Sequence, residues 1–104
     1  MRKMSIQTTQ VLQAFLDAPR DETYGFELVK VTGLASGSVY PILRRLEENG
    51  LIEAREEIID PDARRPRYRI FYRLTSAGRA FAREAIGERT YALRGLNFGW
   101  SHGR

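Results

Sequence analysis

The chain has 104 residues, 42% of them apolar, no Cys and a single His, His102. One folded domain fits this length, while disulfide scaffolds, thiol chemistry, thiolate metal centres and His-based catalysis are excluded. The net charge of +4 divides unevenly: residues 1–63 carry 7 basic and 11 acidic side chains, whereas residues 64–104 carry 10 Arg and 2 Glu. An acidic half joined to a basic half suits a polyanionic partner, nucleic acid before an anionic membrane. The plainer reading is a solvated surface rich in Arg. No apolar run approaches the ~18 residues of a membrane span, and Met1-Arg-Lys-Met-Ser leads into polar residues, so a cytoplasmic protein without a membrane partner is expected.

Residues 5–18 place Val11, Leu12, Phe15 and Leu16 on one helical face. Ser5 or Thr8 supplies the N-cap, and Pro19 stops the helix. A polar loop follows, after which Thr23 caps a short second helix from Tyr24 to about Val31, with Leu28 and Val31 inward and Gly33 at its C-terminal end. Residues 39–49 put Val39, Ile42, Leu43 and Leu46 on one stripe, closed by Gly50. Pro41 is tolerable only near the helix start, which favours Ser38 as N-cap over Ser36. Two helices joined by a short Gly-containing turn make a helix-turn-helix.

Beyond Gly50 the period changes. Leu51–Ile59 and Arg67–Leu74 read as two strands around the turn DPDARRP (60–66), the second with Tyr68, Ile70, Tyr72 and Leu74 on one face and Arg67, Arg69, Phe71 and Arg73 on the other. Thr75 caps a fourth helix from Ser76 to about Ile86, which either ends at Gly87 or runs on through Leu93. The fold class is therefore mainly α with a small β-hairpin (α+β), a winged helix-turn-helix in the order α-α-α-β-β-α. Residues 1–86 form that domain, and residues 87–104 form a short C-terminal extension able to act as a dimerisation arm.

YGFELVKVTGLASGSVYPILRRLEENGLIEARE (24–56) and ARRPRYRIFYRLTSAGR (63–79) carry a family pattern. Its marks are Tyr24-Gly25, Ser38-Val39-Tyr40-Pro41-Ile42-Leu43, Gly50-Leu51-Ile52, Arg65-Pro66-Arg67, Tyr72-Arg73-Leu74-Thr75 and Gly78. In these residues the chain resembles the PadR-like transcriptional regulators. The resemblance implies a dimeric DNA-binding repressor whose third helix enters the major groove while the wing reaches the backbone or minor groove. Longer members have a substantial helical dimerisation domain at the C-terminus, and this chain has few residues there.

Candidate DNA contacts follow from helical geometry. Arg44 points away from the apolar stripe of the third helix, and Tyr40 and Arg45 flank it. Ser36, Ser38 and Pro41 complete the N-terminal end of that helix, where hydroxyls and backbone N–H groups can meet a phosphate. Arg44 is suited to guanine O6/N7, and Tyr40 to a phosphate or a thymine methyl. The competing reading pairs Arg44 and Arg45 with Glu47 or Glu48. Arg64, Arg65 and Arg67 surround the hairpin tip and reach a phosphate or a narrow minor groove, unless Asp60, Asp62 and Glu57 answer them first. Counting Arg69 and Arg73 leaves those acids outnumbered.

The expected function is a sequence-specific DNA-binding transcriptional regulator, a repressor bound to an inverted repeat of double-stranded DNA as a homodimer through helix 1 and the C-terminal region. The rivals are a winged-helix protein-interaction module and an architectural or recombination-directing DNA binder. No enzyme activity, cofactor or metal is expected, since no nucleophile–base pair or metal cluster can be assembled, and Glu53, Glu56, Glu57, Asp60 and Asp62 lack calcium-loop spacing. Phe98 and Trp100 more readily pack on protein than stack on a ligand. No small-molecule effector is expected, because the residues after the fourth helix are too few to wall a large pocket.

Overall fold

The computed structural model describes residues 5–97, with side chains through Gly87. Helix α1 spans Ile6–Asp17. Ser5 is its N-cap, the hydroxyl accepting the Thr8 N–H at 3.0 Å. After Ala18 the chain makes a single 3₁₀ turn, Pro19–Asp21, in which Arg20 and Asp21 adopt φ of 56° and 57°. That left-handed pair costs about 1–2 kcal/mol per residue for non-glycine side chains. The Asp21 carboxylate is held there by Arg79, whose Nε donates to it at 2.6 Å.

Strand β1, Glu22–Tyr24, comes next, where the sequence suggests a loop and a Thr23 helix cap. Thr23 instead pairs with Tyr72 of a later strand, and its side chain is buried. Helix α2 accordingly starts one residue later, at Gly25, and runs to Thr32 with Tyr24 as a cap that makes no side-chain bond. Leu28 faces the core as expected, but Val31 is 58% exposed and Val29 packs inward in its place. Gly33 ends α2 with φ of 74°, the left-handed conformation that glycine adopts at little cost.

Helix α3, Ser36–Glu48, also begins earlier than the sequence suggests. Its N-cap is Ala35, whose carbonyl accepts the Ser38 and Val39 N–H groups at 2.9 and 3.1 Å, so neither Ser38 nor Ser36 caps the helix. Pro41 therefore lies in the second turn rather than the first. Lacking an N–H, it cannot donate to the Gly37 carbonyl.

Strands β2 (Ile52–Ile58) and β3 (Tyr68–Leu74) form the hairpin, and the antiparallel sheet runs in the order β1-β3-β2. Helix α4, Ser76–Asn97, passes through Gly87 without a break. The expected Thr75 cap is present, its hydroxyl accepting the Gly78 N–H at 2.9 Å. No helix among the described residues is long and apolar enough to cross a membrane.

The core joins Val11, Leu12 and Phe15 of α1, Leu28 of α2, Val39, Ile42, Leu43 and Leu46 of α3, Ile52, Leu74 and Ala82. The whole stripe read from the α3 sequence is buried. Each large side chain removed from water contributes about 1.5–3 kcal/mol before the entropy of ordering it is subtracted.

The turn after α3 packs directly on the first turn of α4. A Cβ at Gly78 would overlap the Leu51 carbonyl oxygen, whereas a Cβ at Gly87 would meet nothing within 4 Å. Gly78→Ala should lower stability by about 2 kcal/mol or more, because backbone must move to admit the methyl. Gly87→Ala should raise it by about 0.5–1 kcal/mol through helix propensity. Urea denaturation of the two variants checks both signs.

Candidate nucleic-acid interface

Four buried residues turn α3 inward, which leaves Gly37, Tyr40, Pro41 and Arg44 along its outer side with Ser36 exposed at the start. Ser38 is half-buried, and its N–H is already used by Ala35. Arg44 and Arg45 are exposed and make no ion pair among the described residues, so Glu47 and Glu48 do not neutralise them. Gly37, absent from the sequence-derived set, has open space where a side chain would stand. Backbone at that point is accessible to a large partner.

Tyr40 has a second attachment that the sequence does not reveal. Its ring lies over Gly25 at the start of α2, where an added Cβ would come within 2.5 Å of the hydroxyl oxygen and 2.6 Å of a ring carbon. The absence of a side chain at Gly25 thus lets the tyrosine ring sit against the start of α2 and still remain 44% exposed. Tyr72 of β3 is close by. Burial pushes its phenol above the ordinary range, and the negative charges that Tyr40 and Glu47 can carry add to the effect.

The hairpin separates its arginines into two populations. Arg69 donates through Nε to Glu57 at 3.1 Å and lies 4.3 Å over the ring of Tyr24. The Tyr24 hydroxyl donates to the same Glu57 oxygen at 2.7 Å. The Tyr24 and Arg69 hydrogen bonds hold the Glu57 carboxyl below its usual range, while the bond to Glu57, followed by burial, raises the Tyr24 phenol. Arg73 reaches Glu22 of β1 at 3.1 Å. Arg69 and Arg73 are therefore committed within the sheet and, contrary to the count made from the sequence, are not available to an external anion. Tyr24 and Glu22, which engage them, belong to β1.

Arg64, Arg65 and Arg67 form the other population. All three are exposed around the turn, and none makes an ion pair among the described residues. Glu57, one of the acids considered for them, is occupied by Arg69 and Tyr24. Asp60 uses its carbonyl to accept the Ala63 N–H and shape the turn.

A groove of about 760 Å³ opens elsewhere, between α1, β1 and the outer side of α2, lined by Gln10, Asp17, Glu22, Phe26, Glu27 and Val31 among others. Its size falls in the range of small-molecule sites. Its described lining residues come from α1, β1, α2 and the turn between α1 and β1, so a pocket of this size forms without walls from α4. Phe98 and Trp100 lie outside the described residues.

A helix-turn-helix with an outward basic helix, followed by an arginine-tipped hairpin, defines a winged-helix DNA-binding protein. The model of the transcriptional regulator PadR-like family matches residues 16–84, from the end of α1 into α4, and the chain belongs to that family. It is a DNA-binding transcription regulator. No curated protein sequence matches it.

Solved structures share its fold. A PadR family transcription regulator from Clostridium difficile superimposes with a TM-score of 0.71 at 21% identity, over 89% of this chain and 96% of that one. BpsR of Bordetella bronchiseptica, whose DNA binding is regulated by 6-hydroxynicotinic acid, gives 0.72 at 23% identity, over 96% and 70%. Bacillus subtilis PadR in complex with operator DNA gives 0.65 at 17% identity, over 81% of this chain and 48% of that one. The chain thus spans about half the length of the Bacillus subtilis protein.

The Tyr40 platform is open to test. Gly25→Ala should lift the ring from α2 and weaken both folding and duplex binding. Gly25→Ala combined with Tyr40→Ala should recover most of the lost stability but none of the binding. Parallel chemical denaturation and DNA titration of the single and double variants separate the two effects.

Proposed function

We propose that the protein is a repressor that binds a two-fold symmetric DNA site as a homodimer, with residues 1–86 as the reading domain and residues 87–104 as part of the dimer contact. The observation that carries this reading is the pairing of two basic surfaces without ion pairs among the described residues, the outer side of α3 and the tip of the hairpin, while the other hairpin arginines are consumed internally. Arg44 takes a guanine edge in the major groove, and Tyr40 a phosphate or a thymine methyl. Ser36 and Ser38 approach a phosphate at the helix start, and Pro41 makes an apolar contact beside them. Arg64, Arg65 and Arg67 bind the backbone across the groove.

One such domain covers only a few base pairs, so specificity calls for two copies. Ile6 of α1 is 58% exposed, and α4 continues to Asn97, which together offer surface for an isologous contact. Among the described residues the groove beside α1 is lined by Asp17 and Glu27, by Glu22 already paired with Arg73, and by no basic side chain, a poor site for an aromatic acid of the kind that regulates BpsR.

Binding to duplex DNA should weaken steeply with salt, by about −0.9 in log–log slope for each phosphate neutralised. Arg64→Ala and Arg65→Ala should each flatten that slope by up to ~1 on all sequences, and Arg44→Ala should cost about 1–3 kcal/mol on the preferred site while relaxing specificity. Fluorescence anisotropy across a salt series measures both, and the same titration with 6-hydroxynicotinic acid added should be unchanged. Mutants that bind like the parent would remove the groove assignment. In sedimentation, the full chain should be dimeric at micromolar concentration, and a chain stopped after Ile86 should dissociate. A monomeric full chain would rule the dimer out.

A further inference from the structure

We propose that the groove between α1, β1 and α2 is a binding site for an organic cation built on aromatic rings. The proposal is independent of the DNA reading, because none of the residues involved belongs to α3 or to the tip of the hairpin.

Charge is the first observation. The chain has 17 basic and 13 acidic residues, so basic side chains predominate overall. The groove of about 760 Å³ reverses that balance, with Asp17, Glu22 and Glu27 in its lining and, among the described residues, no Lys or Arg. Glu22 is answered by Arg73, whereas Asp17 and Glu27 make no ion pair among the described residues. Two carboxylates on one groove repel anions and leave negative charge to be met by a visitor.

Asp17 also stands where its own helix disfavours it. It is the last residue of α1, at the negative end of the helix dipole, and the last turn holds no basic residue. Its carboxylate accepts a hydrogen bond from the Gln13 side-chain amide at 2.9 Å, a neighbour on the same helix that brings no charge. A cation seated in the groove would turn this unfavourable placement into a favourable one.

Apolar surface is the second observation. Ala14, Ala18, Pro19, Phe26 and Val31 all line the groove, and Phe26 and Val31 are 55% and 58% exposed. The Phe26 ring stacks on Tyr24, with centroids 5.4 Å apart and planes 14° from parallel. Tyr24 already holds a cation, the Arg69 guanidinium, 4.3 Å from its ring centroid. Exposed Phe26 offers an external cation the same kind of aromatic surface. A metal ion or a polyamine would leave Phe26 and Val31 unused, and a neutral aromatic would leave Asp17 and Glu27 unanswered. A cation carried on aromatic rings uses both features, and the groove is large enough to take a small molecule of that kind.

The test uses the full-length protein without DNA and two probe ions of matched shape and opposite charge, tetraphenylphosphonium and tetraphenylborate. In titration calorimetry the phosphonium should bind saturably, one per chain, and about tenfold more tightly than the borate. Asp17→Asn combined with Glu27→Gln should weaken phosphonium binding about tenfold and leave borate binding as it was. Val31→Arg, a change at an exposed helix position, puts a guanidinium on the groove wall and should abolish phosphonium binding. Urea denaturation should show both variants folded, and the two act at different positions, so one remains if the other fails to fold. Trp100→Ala should bind the phosphonium like the parent.

Equal affinity for the two ions, or groove variants that bind like the parent, would overturn the proposal. A loss of binding in Trp100→Ala would also overturn it, by moving the site to the end of the chain. So would one phosphonium per two chains, or a Val31→Arg protein that no longer self-associates in sedimentation, since either makes the groove a contact between copies.

Discussion

The joint between the end of α3 and the start of α4 is the constraint from which the rest of the domain is built. Gly50 turns the chain with φ of 74°, and the Leu51 carbonyl accepts the Thr75 N–H at 3.0 Å. The Thr75 hydroxyl donates to the Gly50 carbonyl at 2.8 Å while accepting from Gly78. Both ends of the hairpin are thereby pinned to one place, so the wing must leave and return beside α3. Close packing of Gly78 on Leu51 leaves no slack in that placement.

The electrostatics follow from the same geometry. Arginines near the base and middle of the hairpin meet carboxylates on neighbouring strands, where each pair satisfies itself and fixes the pose of the wing. Arginines at the tip lie beyond the reach of β1 and face solvent. The sequence bias toward a basic second half is thus resolved into structural cations and available ones. Only the latter bear on a polyanion, and exposed ion pairs of the structural kind contribute little stability individually. Their role is directional, since they determine which face of the hairpin is occupied.

Much of the fold was legible because it depends on local pattern. The Val39, Ile42, Leu43 and Leu46 stripe, the Ser5 and Thr75 caps, the Gly33 and Gly50 stops and the alternation through Tyr68–Leu74 are each encoded within a few residues. What escaped depends on distant partners. Three residues, Glu22–Tyr24, carry no strand signal of their own and become β1 only because β3, nearly fifty positions later, supplies the hydrogen bonds. Missing that strand displaced the start of α2 and concealed the partners of Arg69 and Arg73. The start of α3 was misplaced for a different reason. Ser36 and Ser38 both have capping side chains, yet the backbone of Ala35 does the work unaided. The outward positions of Arg44 and Tyr40 were legible from the period of the helix, whereas the seat of Tyr40 on Gly25 was not, because a glycine shows nothing of what fills its place.

The sheet order β1-β3-β2 leaves two open edges, each a template on which another extended chain could assemble. The first edge is only three residues long, and the left-handed pair Arg20 and Asp21 turns the chain sharply away from it on one side while α2 begins on the other. The second edge, β2, carries Glu53, Arg55, Glu56 and Glu57 within seven residues, so that an incoming strand would have to bring matching charges into register. A hairpin with exposed apolar side chains is thereby presented without a ready template for another strand, and the protection comes from how the sheet ends rather than from how the core is filled.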